Sequence, residues 1–247
     1  MKVFIRSFIG IVIACGMLLA ISLGLYAAGW AFNTILASKK TSVNTPSGKN
    51  TVTVILDAGH GGIDGGAVGV SGVLEKDLNL AIVQKLREKL NSLGYTVVLT
   101  RDSDMLLGNG EKGSRKQQDL KARVEAVEAQ DDAVLISIHM NRFPDASVKG
   151  MTFYYSPNHP DSYALSESMH QVMLSELQRD NRRPMKEATS GIYLLYHTSV
   201  PAVLVECGFL SNALEEAMLS DETYQEKIAE VLCKGIAAYC EKSEEKP

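Results

Sequence analysis

The stretch VTVILDAGHGGIDGGAVGVSGVLEKDLNLAIVQKL, residues 52–86, decides the fold of this chain. It begins with an apolar, β-branched run, Thr51–Leu56, which predicts a buried strand. After a glycine-rich loop, leucine and isoleucine recur four residues apart from Leu78 to Leu90, as on one face of a helix. This predicts a helix over residues 76–91 that ends before Gly94. A strand followed by an amphipathic helix indicates an α/β protein.

The rest of the chain repeats this alternation. Further strands are predicted at Tyr95–Thr100, Ala133–Ile138, Met151–Tyr155, Ile192–Tyr196 and Val203–Val205. Further helices are predicted at Asp119–Gln130, around Leu165–Met173, and at Ala213–Met218 and Glu222–Cys240. We therefore predict a single-domain, layered α/β fold with a mixed, mostly parallel sheet of about six strands flanked by helices.

The amino-terminal segment has a different composition. No residue between Arg6 and Lys39 is charged, and residues 8–32 are mainly Ile, Leu, Val, Ala and Gly. A run of this length can cross a bilayer, which favours an uncleaved signal-anchor at residues 1–37, although its small residues leave signal-peptide cleavage open. The basic residues on its two sides balance, so they do not decide its orientation. Residues 38–50 predict a polar linker, residues 51–242 the globular domain and residues 243–247 a polar tail.

Composition and charge exclude several classes of protein. The 247 residues are 45% hydrophobic and 22% charged, with a net charge of −4, so no basic field favours nucleic acid as a partner. The four cysteines do not form a disulfide framework. Cys15 lies in the apolar run, and Cys233 and Cys240 are seven positions apart in a predicted helix, which separates them by roughly 10 Å.

Polar residues that can carry chemistry follow the predicted strands. His60 comes after the first strand, His139 ends the third, and Glu206 ends a late one. In parallel α/β sheets ligands bind beyond the carboxyl ends of the strands, so these three residues are expected to share a site. Glu75, at the start of the first helix, lies across the glycine-rich loop from His60 and can return a carboxylate to the same place.

Two histidines and one carboxylate are typical ligands of catalytic zinc. His60, Glu75 and His139 are therefore the candidate metal ligands, and Glu206 is a candidate general base. Ordinary explanations exist as well. A histidine at a strand end can simply be a hydrogen-bonded polar group, and Glu75 can be a carboxylate favoured by the helix dipole. A buried Glu206 is harder to explain, because an unpaired buried carboxylate is costly. The residues alone leave both interpretations open.

For residues near these candidates, we likewise compare a functional role with a structural one. The glycines around His60 match neither dinucleotide-binding nor phosphate-binding loops, and a tight turn that presents a metal ligand explains them better. Asp57 either orients His60 or binds turn amides. Strand alternation turns Cys207 away from the face of Glu206, which argues against a cysteine nucleophile. Among the other histidines, only His197, at the end of a predicted strand, is a further candidate; Arg101 has no evident role.

Five segments of the chain, in order, resemble the zinc-dependent N-acetylmuramoyl-L-alanine amidases of the Amidase_3 type. The segments are ILDAGHGGIDGGAVG (55–69), LEKDLNL (74–80), VVLTRDSD (97–104), SIHMN (137–141) and PAVLVECGFLSN (201–212). No single segment is decisive, but five in this order are highly specific and span essentially the whole globular part. The chain departs from the family pattern at Cys207, where Val or Thr is usual.

The resemblance implies an activity and assigns roles to four residues. The activity is hydrolysis of the amide between N-acetylmuramic acid and L-alanine in peptidoglycan. His60, Glu75 and His139 match the family's zinc ligands, and Glu206 matches its catalytic glutamate. The substrate places the domain outside the cytoplasm, either anchored to the membrane or secreted.

Within the family, the chain most resembles the spore-cortex amidases of endospore formers. That likeness implies a role in muramic-δ-lactam formation and germination, with a sporulation lipoprotein or a deacetylase as partner.

Two rival functions remain open. One is a zinc peptidase that cleaves the stem peptides of peptidoglycan, because the same activation of water serves any amide. The other is a non-catalytic, membrane-anchored protein that binds the wall or acts as a scaffold. The presence of all four site residues argues against the second, and the chemical identity of the product distinguishes the first.

Overall fold

The computed structural model describes residues 52–108 and 114–244. The predicted signal-anchor (1–37) and linker (38–50) lie outside this part of the chain. Over the two described ranges, no helix is both long and apolar enough to cross a membrane.

The described residues form one six-stranded sheet with helices on both faces. The elements are β1 (Thr53–Ala58), α1 (Glu75–Ser92), β2 (Thr96–Leu99), α2 (Arg115–Glu128), β3 (Ala133–Asn141), β4 (Thr152–Tyr155), α3 (Ser162–Glu176), β5 (Lys186–Glu187), α4 (Tyr193–His197), β6 (Ala202–Phe209), α5 (Ala213–Leu219) and α6 (Glu222–Glu244). The strand order is β2-β1-β3-β6-β4-β5. Only β4 and β6 pair antiparallel, so the predicted mixed, mostly parallel sheet is confirmed.

The two faces of the sheet have different cores. Helices α1, α3 and α6 cover the first face, where alternate strand residues such as Leu56, Ile136 and Val205 are fully buried. Helices α2 and α4 cover the second face, which contains the smaller cluster around Ile55 and Leu135. Because side chains alternate along a strand, each central strand contributes to both cores. This requires the nearly continuous apolar runs seen in the sequence.

Some elements of the structure differ from the prediction. The predicted strand Ile192–Tyr196 is wrong, because residues Tyr193–His197 form the short helix α4. Its adjacent Leu194 and Leu195 are both buried, which a helix packed on α2 allows, and five apolar residues are too few to reveal their period. The strand β5 was not predicted, since its two residues are charged and exposed. Helix α2 begins four residues earlier than predicted, at a capping box formed by Ser114 and Gln117.

The strands that carry the site extend further than predicted. β3 continues to Asn141 and β6 to Phe209, so His139 and Glu206 lie within their strands rather than at the ends. These two residues are directly paired across the strands, and the register then shifts by one residue. Such irregularities in strand pairing are common beside active sites. Helix α6 continues to Glu244, into the predicted polar tail.

Candidate active site

His60 lies in the loop between β1 and α1, in a conformation that is uncommon for a residue with a side chain. Its φ is +62°, in the left-handed region. Two buried arginines hold this loop: Arg123 donates to the His60 carbonyl at 2.6 Å, and Arg101 donates to the Ala58 and Gly59 carbonyls at 2.8 and 3.1 Å. The backbone around His60 is therefore fixed before any ligand binds.

The two ring nitrogens of His60 have different partners. Nδ1 lies 3.0 Å from Oδ2 of Asp64, and Nε2 lies 3.2 Å from Oε2 of Glu75. A carboxylate on one nitrogen fixes the orientation and tautomer of the ring, which leaves the other nitrogen available to a metal. Asp64 thus has the orienting role that the sequence suggested for Asp57.

Glu75 is the first residue of α1, and its side chain is buried. Its Oε2 accepts a hydrogen bond from the Ala67 amide at 2.7 Å, and its Oε1 accepts one from the Met140 amide at 3.0 Å. Oε1 also lies 2.9 Å from Nδ1 of His139. Glu75 is therefore bonded to both histidines and to two backbone amides, which is much more than a helix-dipole charge requires.

The pKa values of this cluster reflect the close pairing of charges. Burial by itself raises the pKa of Glu75, but hydrogen bonds to His139 and His60 outweigh it and hold that pKa well below its usual range. Burial by itself lowers the pKa of His60, but the carboxylates of Glu75 and Asp64 raise it above its ordinary value. Glu75 is thus held as a carboxylate, the form that binds a metal.

Two glycines make room for the three side chains. A Cβ added at Gly59 would lie 2.2 Å from the His139 ring, and one added at Gly66 would lie 2.5 Å from Oε2 of Glu75. Gly66 also has a φ of +69°, which disfavours other residues. The glycine-rich loop is therefore a turn, as the sequence predicted, and it packs against the histidine and carboxylate side chains.

The donor set fits a zinc ion. One nitrogen from each histidine and one oxygen of Glu75 all lie within 4.8 Å of one another. In tetrahedral zinc sites with bonds of about 2 Å, ligand atoms are roughly 3.3 Å apart, so only small shifts are needed to surround an ion. Three protein ligands also leave a fourth position for water or substrate, as catalytic zinc requires.

Glu206 lies beside this cluster but is not part of it. It faces the same cavity as His60 and His139, a space of about 240 Å³ that is also lined by residues 191–194 and by α2. Its Oε2 is buried, and within the described residues it has no hydrogen-bond partner. Burial raises the pKa of Glu206 to about 7. An unpaired buried carboxyl oxygen beside a metal-type cluster suits a general base.

The other residues that the sequence singled out have structural roles or lie elsewhere. Asp57 neither orients His60 nor binds turn amides: its carboxylate accepts hydrogen bonds from Thr100 at 2.7 Å and Ser137 at 2.6 Å and pairs with Arg123. His197 does not end a strand; it lies in α4, with its ring stacked on Tyr193. Cys207 is buried in the core of the first face, as strand alternation predicted.

Sequence reasoning missed Asp64 and Arg123. Asp64 follows His60 by four residues within the glycine-rich loop, and only the folded loop shows that its side chain returns to the histidine. Arg123 offered a signal: Asp119, Arg123 and Val127 are buried along one side of α2 at spacings of four residues. A charged pair at that spacing, in line with an apolar residue, indicates an ion pair that faces the protein.

The fold and site together define an α/β enzyme with a partly buried His–Glu–His cluster able to hold a catalytic metal. The profile of the N-acetylmuramoyl-L-alanine amidase family, Amidase_3, matches residues 54–238. The germination-specific N-acetylmuramoyl-L-alanine amidase of Bacillus subtilis is 38% identical over 192 residues, which are 75% of this chain and 78% of that protein.

Two solved structures are similar along the same region. The CwlD amidase of Clostridioides difficile, solved in complex with the GerS lipoprotein, is 40% identical with a TM-score of 0.73 and covers 77% of this chain and 98% of its own. The catalytic domain of CwlV, an N-acetylmuramoyl-L-alanine amidase from Bacillus (Paenibacillus) polymyxa, is 34% identical with a TM-score of 0.67 and covers 76% and 98%. The chain therefore belongs to the Amidase_3 family and is an N-acetylmuramoyl-L-alanine amidase.

Proposed function

We propose that this protein is a zinc-dependent amidase that hydrolyses the bond between the lactyl group of N-acetylmuramic acid and L-alanine in peptidoglycan. The observation that carries the proposal is the partly buried His60–Glu75–His139 cluster, with Glu206 facing the same cavity as the two histidines. His60 through Nε2, His139 through Nδ1 and Glu75 through one carboxylate oxygen would hold the ion. Asp64 would keep the His60 ring in place.

A bound zinc ion polarises the scissile carbonyl and makes water more acidic. The remaining steps belong to the protein. Oε2 of Glu206, which has no other partner among the described residues, accepts a proton from the attacking water as oxygen bonds to the carbonyl carbon. The carbon–nitrogen bond then breaks, and Glu206 transfers that proton to the departing amine of L-alanine. The products are a free lactyl carboxylate and a stem peptide with a free amino terminus.

We also propose a spore-cortex role, with muramic-δ-lactam formation together with a deacetylase, and a contribution to germination. The similarity to the germination-specific amidase supports it. The similarity to CwlD, solved with a lipoprotein, supports a sporulation lipoprotein as partner. In this proposal residues 1–37 anchor the protein, residues 38–50 are the linker, and the catalytic domain, residues 51–242, acts outside the cytoplasm.

Product analysis tests the proposed bond specificity. The zinc-loaded full-length protein is incubated with cortex peptidoglycan, and the products are identified by mass spectrometry. We expect glycan fragments with unsubstituted muramic acid, together with stem peptides that begin with L-alanine. Glycans that retain L-alanine while shorter peptides are released would contradict the amidase assignment and support the stem-peptide peptidase.

A further inference from the structure

A second groove adjoins the candidate metal site, and the proposed chemistry does not use it. Its volume is about 380 Å³, which is within the range of small-molecule and peptide sites. Leu210 forms its buried floor, and Val68 and Val70 form one wall. Phe143 and Pro144 form the other wall. Val68, Val70 and Phe143 are 49%, 63% and 51% exposed, so an apolar surface is open to a ligand.

Both walls begin at residues that hold Glu75. Val68 follows Ala67, whose amide donates to Oε2 of Glu75. The opposite wall follows Met140, whose amide donates to Oε1 of the same carboxylate. The groove residues Val68 and Arg142 are therefore one and two positions along the chain from amides that bind Glu75.

The groove is preformed. The loop that carries Val68 and Val70 is tied to α5, because the amide and hydroxyl of Ser71 donate to Glu216 at 2.9 Å. The other wall is tied down by the Phe143 amide, which donates to Ser211 at 3.1 Å, and by Asn212, which donates to the Ala146 carbonyl at 2.9 Å. A ligand that binds here does not have to order the walls first.

One charged side chain lines this groove, and it is cationic. Arg142 is exposed, and within residues 52–108 and 114–244 its guanidinium takes part in no ion pair or hydrogen bond. The buried Glu216 behind the wall turns its carboxylate to Ser71 and does not neutralise the arginine. A free guanidinium at an apolar groove suits a ligand that has a carboxylate beside aliphatic groups.

We infer that the groove binds the stem peptide and that Arg142 recognises the carboxylate of its second residue. This inference rests on the proposed function. In peptidoglycan the residue after L-alanine is a glutamate linked through its side chain, which leaves its α-carboxylate free or amidated. Extended peptide advances roughly 3.5 Å per residue, which places that carboxylate about 7 Å from the scissile amide. The valine and phenylalanine walls then contact the aliphatic part of the peptide.

The test compares two defined muropeptides that differ at one group. One carries D-glutamate with a free α-carboxylate at the second position of the stem, and the other carries D-isoglutamine. We expect kcat/KM of the wild type to be about tenfold higher for the free carboxylate, mainly through KM, as one exposed charge-assisted hydrogen bond allows. Arg142→Gln should abolish this preference, and Arg142→Lys should retain part of it.

Arg182→Gln is the matched control, since Arg182 is an exposed arginine that, among the described residues, bonds only to carbonyls of its own loop. It should leave the preference intact. Equal rates on both substrates in the wild type, or an equal loss on both in Arg142→Gln, would overturn the assignment of the groove while leaving the amidase activity standing. Failure of the wild type to cleave either substrate between the sugar and L-alanine would overturn the proposed function, and this assignment with it.

Discussion

The two faces of the sheet are built from the same strands, but their buried side chains differ towards the carboxyl ends of those strands. On the face covered by α1, α3 and α6, the buried strand side chains stay apolar along the central strands, up to Met140 and Cys207. On the face covered by α2 and α4, they are apolar only at first. Beyond Leu135 and Leu204 come Ser137, His139 and Glu206, and the cavity opens there. The first face is a continuous apolar core that stabilises the fold. On the second face, polar residues of the candidate active site take the place of part of the apolar core.

Polar groups on the second face are tolerated because nearly all of them are paired. Asp57 is bonded to Thr100, Ser137 and Arg123, and Arg123 also pairs with Asp119. An unpaired buried polar group would destabilise the fold by about 1–3 kcal/mol. In the cavity, Oε2 of Glu206 is the buried oxygen left without a partner in the described part of the chain. This contrast distinguishes residues that support the site from the residue proposed to act in it.

Glu206→Gln should give the largest effect of the substitutions, and it should lower turnover without changing metal binding or stability. Removing the proton acceptor should lower kcat by at least about 100-fold, because general acid–base catalysis contributes factors of that size. Zinc content and the unfolding midpoint should stay within error of the wild type, since no hydrogen bond of Oε2 is lost. Glu187→Gln, at an exposed glutamate of β5, is the control. Unchanged turnover in Glu206→Gln would remove Glu206 from the mechanism.

Asp64→Asn tests whether the carboxylate beside His60 orients this proposed metal ligand. Such partners typically affect metal affinity by about 10–100-fold, so the zinc dissociation constant should rise by that factor. Competition with a chelator measures it without reference to activity. Asp131→Asn, at an exposed loop aspartate, should change nothing. Equal zinc affinity in Asp64→Asn and the wild type would show that the 3.0 Å contact with His60 does not orient the ring.

Asp57→Asn tests whether the buried ion pair between Asp57 and Arg123 stabilises the fold. Loss of one partner from a buried ion pair should lower the free energy of unfolding by about 3 kcal/mol at pH 7. Burial by itself raises the pKa of Asp57, but Arg123 and the Ser137 hydroxyl outweigh it and lower that pKa to about 2. A carboxylate with a lowered pKa stabilises the fold above its ordinary pKa near 4 and loses that contribution as the pH falls towards 2. The difference from wild type in urea titrations should therefore shrink below about pH 4. A constant difference down to pH 3 would contradict this account.

Cys207→Ser gives the smallest expected effect and probes the opposite face. The residue is adjacent to Glu206 in the chain but buried in the other core, and burial raises the pKa of its thiol, which disfavours the nucleophilic thiolate. A buried hydroxyl should destabilise the fold by about 1–2 kcal/mol and leave the turnover of folded, zinc-loaded protein unchanged. A loss of turnover greater than the loss of folded protein would instead implicate the thiol.

The same contrast between the faces explains what the sequence could predict. Helix α1 is predictable from the spacing of its apolar residues, because one of its faces is buried. Strand β1 is predictable from its continuous apolar run, because both of its faces are buried. His60, His139 and Glu206 were predictable because polar residues that interrupt or follow buried strands meet at one edge of a parallel sheet. The glycines of the loop also indicated a tight turn, whereas the close approach of the His139 and Glu75 side chains is visible only in the structure.

The missed features depend on tertiary contacts. Five apolar residues, Ile192–Tyr196, fit a strand or a helix equally well, and packing against α2 decides between them. The partner of His60 is Asp64 rather than Asp57, because strand alternation and the buried Arg123 draw Asp57 into the layer beneath the site. The role of Arg101 is likewise visible only once the loop carbonyls it binds are in place.

Zinc content is the most direct test of the central claim that His60, Glu75 and His139 form the metal site. Full-length wild type, Glu206→Gln and the three single alanine variants of these ligands are purified with equal zinc supply, and bound zinc per folded chain is measured. We predict about one zinc ion per chain in the wild type and Glu206→Gln, and little or none in the three ligand variants. Full zinc occupancy in a folded His60→Ala, Glu75→Ala or His139→Ala protein would contradict the account.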